Sequence, residues 1–222
     1  MIEIMKKQTI FCFFCAFFVA AGMISCAKPG DNTVRQAMQA LGTGEYDTAL
    51  QFFTQALDED TNYSPELLYT FIANVYVNQG EYQKAIAAQE SSLALRAEYR
   101  GFVSLGMLYH LVKDDEKAAA AYRNAIALDG KKAEAYASLG ALYLGQDNVA
   151  QAIPLLEKAA ALEPNIAVIQ ANLAVAYAFA GEREKSDAAL GKARALKCEN
   201  IEQFEEKIAE RQDSSRQIAP AP

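Results

Sequence analysis

The sequence is poor in the side chains that carry most enzyme chemistry. Its 222 residues include one histidine and no tryptophan. It contains no H-E-x-x-H, no G-x-S-x-G and no phosphate-binding G-x4-G-K motif. Carboxylates are plentiful, but most fall beside lysines on expected helix surfaces, which is typical of a solvated face. We therefore predict that the protein is not an enzyme and that it holds no cofactor or metal ion.

Basic side chains are also scarce relative to acidic ones. The formal net charge is −7 and the 21 lysines and arginines do not form a cluster. Such a chain is a poor electrostatic match for a phosphate backbone. We therefore predict that the protein does not bind nucleic acid.

The four cysteines do not make a disulfide framework. Cys12 and Cys15 form C-x-x-C inside an apolar run, where no polar group would activate a thiol, so they do not indicate a redox or metal site. Of the other two, Cys26 follows the apolar run and Cys198 stands near the C-terminus. Cys198 is either a small, partly buried filler or the site of an intermolecular disulfide that gives a homodimer.

The N-terminus has the layout of a secretory signal. Lys6 and Lys7 precede an uncharged stretch that ends in Met23-Ile24-Ser25-Cys26. This ending resembles the bacterial lipobox, which implies a signal peptide over residues 1–25 and lipidation of Cys26, followed by a short tether over residues 26–33. An ordinary cleaved signal and a retained membrane anchor are the alternatives, although the apolar stretch is short for the ~20 residues of a span. The expected location is the cell envelope, on the outer or inner membrane, facing the periplasm or the surface.

One segment recurs along the chain. Residues 136–143 repeat residues 102–109 at a shift of 34, and a second shift reaches residues 170–177. With a one-residue adjustment, residues 69–76 fit the same frame, and each copy precedes a second helical pattern. The copies contain L-G-x2-Y or close variants of it. An alanine follows at the start of most of the second helical patterns. The pattern resembles the tetratricopeptide repeat.

The resemblance implies an all-α fold, a right-handed α-solenoid of about five helix–turn–helix repeats with a C-terminal capping helix. The repeats are expected over residues 34–197, at about 34–62, 63–97, 98–130, 131–164 and 165–197. A stripe of Ile201, Phe204 and Ile208 predicts the capping helix over residues 198–212, covering the end of the stack. The tail over residues 213–222 is expected to be disordered.

The glycines in the middle of first helices indicate close packing. Gly106 and Gly140 would cost about 1 kcal/mol relative to alanine, so a second helix is expected to approach there, with Ala118 and Ala152 facing the glycines. Asp147, like Asp114, is expected to cap the N-terminus of a second helix.

In the tetratricopeptide family, the first helices line an inner groove. Residues matching that position are predicted to form the partner-binding site: Leu67, Asn74, Arg100, Val103, Met107, His110, Leu111, Ala141, Leu144, Val175 and Phe179. Most are apolar, and the basic residues by which chaperone-binding members hold a carboxylate are missing. His110 is then a polar contact of the groove or a plain surface residue, rather than a metal ligand. Substituting arginine for Met107 or Val175 is expected to weaken partner binding without unfolding the chain.

Two functions are compatible with these features. The first is a membrane-anchored scaffold or adaptor of the bacterial cell envelope, which binds a segment of another envelope protein in the apolar groove and contacts the membrane through its N-terminal lipid. The alternative is a periplasmic carrier of apolar ligands that works with a transporter. The groove could also be closed, either by the chain's own packing or by tight curvature.

Overall fold

The structure is a computed structural model that describes residues 28–218, with side chains as far as Arg211. Regular structure in this range is α-helical throughout, which confirms the predicted all-α class. The helices are α1 (Pro29–Thr43), α2 (Tyr46–Asp58), α3 (Pro65–Asn78), α4 (Tyr82–Leu95), α5 (Tyr99–Leu111), α6 (Asp115–Leu128), α7 (Ala133–Gly145), α8 (Val149–Leu162), α9 (Ala167–Phe179), α10 (Arg183–Ala195) and α11 (Ile201–Ile218). The predicted signal peptide and Cys26 lie outside the described residues. The chain divides after Gly80 into two compact units.

The N-terminal unit contains α1, α2 and α3, and α2 packs against both of the others. Apolar residues spaced three or four apart put Val34, Phe53 and Leu68 in its core, where each is almost fully buried. The ring of Phe53 lies 5.3 Å from that of Phe71, centroid to centroid, so α2 and α3 share an aromatic contact.

The start of α1 differs from the predicted tether, which was expected to reach residue 33. The helix begins at Pro29, a residue whose fixed φ suits the first helical position. The carboxylate of Asp31 accepts hydrogen bonds from the backbone N–H of Lys28 at 3.0 Å, the hydroxyl of Thr61 at 2.7 Å and the backbone N–H of Asn62 at 2.7 Å. Because these bonds fix the helix start to the loop after α2, the chain is already ordered at Lys28.

The C-terminal unit contains α4 to α11 and repeats one arrangement. Within each repeat the first helix packs on the second, as α5 on α6, α7 on α8 and α9 on α10. The second helix of one repeat packs on the first helix of the next, as α4 on α5, α6 on α7 and α8 on α9. Between repeats, the backbone N–H of Ala135 donates to the buried hydroxyl of Tyr99 at 2.9 Å. This bond satisfies one of the N–H groups that the start of α7 leaves without a partner.

The glycines in α5 and α7 mark the close approach of the helices, as predicted. The backbone of Ala152 does face Gly140, with its carbonyl oxygen 3.4 Å from a Cβ placed there, but the nearest side chains are not those of the predicted alanines. A Cβ on Gly106 would lie 2.6 Å from the ring of Tyr122, and one on Gly140 would lie 2.7 Å from Leu156. These neighbours stand one turn after Ala118 and Ala152. Long side chains on a helix lean toward its N-terminus, so the residue one turn later covers the contact.

One of the two predicted aspartate caps is wrong. Asp114 does accept a hydrogen bond from the backbone N–H of Lys117, at 3.2 Å. In the next repeat the cap is Asn148, which accepts from the backbone N–H of Gln151 at 3.3 Å. Asp147 instead has a left-handed backbone with φ of 58°, in the turn that ends α7.

The bounds of the last helix differ from the predicted ones, which were 198–212. It runs from Ile201 to Ile218, so residues 213–218 are helical where a disordered tail was expected. The predicted capping helix was expected to cover the end of the stack, without a particular helix to pack on. In the structure, α11 packs chiefly on α9, the first helix of the last repeat.

Candidate functional site

The predicted groove positions of the C-terminal unit lie on the first helices of three successive repeats. Met107, Ala141 and Val175 are equivalent, since 34 residues separate each from the next. We call this surface of α5, α7 and α9 the inner face. The three helices carry different side chains there and have different surroundings.

On α5, the inner face is open. The side chains of Met107 and Leu111 are 54% and 52% exposed, although both are large and apolar. Arg100 and His110 are exposed beside them. Val103 is buried, so it belongs to the packing between helices and not to the predicted groove surface.

His110 has a partner within the protein. Its Nδ1 lies 2.8 Å from a carboxylate oxygen of Asp115, the first residue of α6. The hydrogen bond from His110, followed by one from Gln146, lowers the pKa of Asp115 below its ordinary value. Of the two roles left open for His110, this geometry fits the surface residue better, because the ring is turned toward the start of α6.

On α7 and α9, the structure brings four predicted residues together and adds α11 to them. Ala141, Leu144, Val175 and Phe179 line a cleft of about 490 Å³. Phe204, Lys207 and Glu210 of α11 line the same cleft. This part of the inner face is therefore covered by the chain itself, as one of the alternatives above anticipated.

The contacts of α11 extend along α9. Ile208 is buried, and the guanidinium of Arg211 lies 5.3 Å from the centroid of the Phe179 ring, within the range of a cation–π interaction. The Nε of Arg194, on α10, lies 2.8 Å from a carboxylate oxygen of Glu205. The sequence showed the apolar stripe of α11, but it carried no signal for the helix against which that stripe packs.

The burial of Val175 corrects one expectation. This side chain is 2% exposed, and α11 covers the cleft that it lines. An arginine at this position would place a charge in an apolar contact without a partner, which costs several kcal/mol. Val175→Arg would therefore disrupt packing, whereas an arginine at Met107 would remain in solvent.

Cys198 lies in the turn between α10 and α11. It lines a second cleft, of about 530 Å³, together with Ile166, Val168 and Phe204. The thiol is half-buried, and this burial raises its pKa. A raised pKa keeps the sulfur protonated near neutral pH, which disfavours a reactive thiolate. The predicted choice between filler and intermolecular disulfide stays open.

In the N-terminal unit, two further predicted residues lie on α3. Leu67 is 39% exposed and Asn74 is exposed. Both therefore stand at the surface of that unit. Their role in partner binding stays a prediction.

Two properties of residues 28–218 concern possible ligands and membranes. Within this range no three histidine, cysteine, aspartate or glutamate side chains are placed to share a metal ion. None of the helices described there is both long enough and apolar enough to span a bilayer.

Family models match more than half of the chain. One with the description tetratricopeptide repeat matches residues 40–96, and another with the same description matches residues 99–132 and 133–166. No curated protein matches the chain in sequence.

Solved structures with the same fold cover most of the chain. A MamA fragment from Desulfovibrio magneticus RS-1 is 21% identical, with 77% of this chain and 96% of that one covered and a TM-score of 0.66. YrrB, described as a protein with an unusual peptide-binding site, is 24% identical, with 76% and 87% covered and a TM-score of 0.61. A repeat protein from Parabacteroides merdae ATCC 43184 is 16% identical, with 85% and 75% covered and a TM-score of 0.73. These likenesses confirm the predicted repeat fold.

Proposed function

Because the chain belongs to the tetratricopeptide repeat family, we propose that it is a scaffold or adaptor that binds a segment of a partner protein on the inner face. One observation carries the proposal. Met107 and Leu111 stand one helical turn apart on α5, and both large apolar side chains are more than half exposed. Their equivalents on α9, Val175 and Phe179, are covered by α11. Paired apolar side chains left open in this way are typical of a binding surface.

The chemistry of Met107 suits such a surface. Methionine is unbranched and polarizable, so it adapts to partner side chains of different shape. Arg100 is exposed on the same helix and would contribute to a polar rim. A peptide-binding site is described for YrrB, which has a similar fold, and this supports the same class of function here.

The proposed setting is the bacterial cell envelope, with the chain anchored through a lipid on Cys26. The support is the sequence of residues 1–26, together with the ordered start of α1. If Cys26 is lipidated, Ala27 alone separates it from Lys28, so the two Cα atoms are at most about 7 Å apart. The folded protein would then lie directly at the bilayer surface, where it could hold an envelope protein near the membrane.

A carrier of apolar ligands is the second candidate. The supporting observation is the cleft between α7, α9 and α11, whose volume of about 490 Å³ lies in the range of small-molecule sites. Its floor is apolar, with Val175 and Phe179, but its rim carries Asp147, Lys207 and Glu210. An apolar ligand bound there would be recovered by solvent extraction of the purified protein.

The test compares two arginine double variants of the full-length protein by cross-linking in cells. Met107→Arg/Leu111→Arg places two charges on the inner face. Leu95→Arg/Leu128→Arg is the matched control, since these leucines are 57% and 49% exposed but end second helices. We expect the wild type and the control to capture the same protein, and the inner-face variant to capture at least about tenfold less of it. The reason is that the partner would bury both Met107 and Leu111 in the complex.

Circular dichroism and thermal unfolding of the three proteins should agree, because all four leucine and methionine side chains are exposed. Equal capture by both double variants would contradict the proposal. Recovery of a lipid from the wild type, without any captured protein, would favour the carrier.

A further inference from the structure

We infer that α11 occupies the binding site of a partner helix, and that an amphipathic helix of the partner displaces α11 from α9. The inference rests on the proposed function and names the kind of partner that the inner face accepts. Its basis is the chain's own helix, which shows what chemistry this surface binds.

The apolar contact comes from two residues of α11 spaced by four. Phe204 and Ile208 therefore lie on one side of the helix. Phe204 contributes to the cleft over Val175 and Phe179, and Ile208 is buried. The surface thus accepts a helix that carries an aromatic residue and, one turn later, an aliphatic residue.

Polar contacts on either side of this stripe define the rest of the pattern. Glu205 follows the aromatic residue and pairs with Arg194 at 2.8 Å. Arg211, one turn after Ile208, lies over the ring of Phe179. A matching partner helix would therefore carry an acidic residue after its aromatic residue and a cationic residue one turn beyond its aliphatic residue.

The helix is held by few buried groups, so it can leave without unfolding the repeats. Among residues 201–211, Ile208 alone is buried. The ion pair between Arg194 and Glu205 is partly exposed to solvent, and exposed pairs contribute little to stability. By comparison, α9 buries nine of its thirteen residues.

The connection to α11 is a turn with unusual backbone conformations. Lys197 and Asn200 have φ of 58° and 53°, which is the left-handed region. No backbone pairing beyond the turn itself ties residues 199–200 to another helix among the described residues. The turn could therefore act as a hinge, and displacement of α11 would leave α5, α7 and α9 as one open apolar face.

The experiment uses a labelled peptide with the sequence of residues 199–218 as the probe, and full-length protein as the receptor. In the release variant, Phe204→Glu/Ile208→Glu, two carboxylates replace the apolar anchors of α11. The matched control, Gln203→Glu/Ala209→Glu, adds the same charge at exposed positions of the same helix. A peptide carrying the two release substitutions is the negative probe.

We expect the peptide to bind the release variant at least about tenfold more tightly than the wild type or the control. The reason is that α11 of the wild type competes within the same molecule, so only a small fraction of molecules has a free site. In the release variant, the amides of α11 should exchange hydrogen faster, while those of α5 to α10 stay protected.

Three results of the peptide-binding and hydrogen-exchange measurements would overturn the inference. Equal binding of the peptide to all three proteins would mean that α11 does not block its site. Continued protection of α11 in the release variant would mean that Phe204 and Ile208 do not hold it. Loss of protection throughout α9 and α10 would show that α11 is a structural cap.

Capture in cells separates this inference from the proposed function. The release variant should capture more partner than the wild type. Peptide binding without any captured protein would support the α11 site and contradict the adaptor function. Capture that depends on Met107 and Leu111, but does not increase on release of α11, would support the adaptor and overturn the displacement.

Discussion

Gly106 lies at a close contact between the two helices of its repeat. Its hydrogen takes the place that a methyl group would need, because the ring of Tyr122 is in contact with that side of α5. By contrast, Gly191 is inside α10 and a Cβ there would meet nothing within 4 Å. Substituting alanine at Gly191 therefore reports helix propensity alone, whereas the same substitution at Gly106 adds a steric clash.

We predict opposite effects on stability for alanine at these two glycines. Gly106→Ala should lower the free energy of unfolding by about 1–3 kcal/mol, because Tyr122 must shift to make room. Gly191→Ala should raise it by about 0.5–1 kcal/mol, because alanine favours the helix. Urea unfolding followed by circular dichroism measures both. A stabilising effect at Gly106 would show that the helices are not closely packed there.

The repeat period predicts the role of a residue well when that role is local. A shift of 34 from Asp114 leads to Asn148, so the repeat period alone predicts the correct cap. The prediction of Asp147 was wrong because it relied on the residue type, an aspartate as at position 114, and not on the period. The burial of Val103 was not predictable in this way. The burial of Val103 depends on how neighbouring helices pack. An apolar residue at a groove position is compatible with both a buried and an exposed side chain.

Among the elements, α1 and α11 depart most from the sequence-based expectation. Pro29 is a local signal for the start of a helix, but the hydrogen bonds of Asp31 reach residues 61 and 62, about thirty positions away. A local pattern could therefore not show that the start of α1 is fixed to the loop after α2. For α11, the apolar stripe was compatible with packing on α10 or on α9. The helices α2 to α10 were predictable because their repeated pattern fixes both the repeat length and the neighbouring helix on which each one packs.

The ordered start of α1 predicts a dependence on pH. Hydrogen bonds from Asn62, Thr61 and Lys28 stabilise the carboxylate of Asp31 and lower its pKa from 3.8 to about 2. A lowered pKa means that the stabilisation is complete above about pH 4 and is lost as the pH falls through 2. We expect Asp31→Asn to lower the urea midpoint at pH 7, and the difference from the wild type to become much smaller as the pH falls from 4 to 2.

The control for this prediction is Asp58→Asn, at an exposed position at the end of α2. It should leave the urea midpoint close to that of the wild type between pH 4 and pH 7. A difference between Asp31→Asn and the wild type that stays constant from pH 7 to pH 2 would show that the charge of Asp31 does not stabilise the fold.

For the whole molecule, the sequence predicts the family and the class of function, and the structure separates the inner face, which we propose as the binding site, into two parts. The inner face has an open part on α5 and a covered part on α7 and α9. The sequence could not distinguish the two parts, because Met107 and Val175 are both apolar residues at equivalent positions. The difference arises from α11, whose position depends on contacts between distant segments.

Site-specific photo-cross-linking tests the central claim most directly. A photoreactive amino acid replaces Met107 in one full-length protein and Leu128 in another, and both are irradiated in cells. Binding on the inner face predicts a covalent adduct with one partner protein from position 107 and none from position 128. An adduct from position 128 alone, or no protein adduct from position 107, would contradict the claim that this face binds the partner.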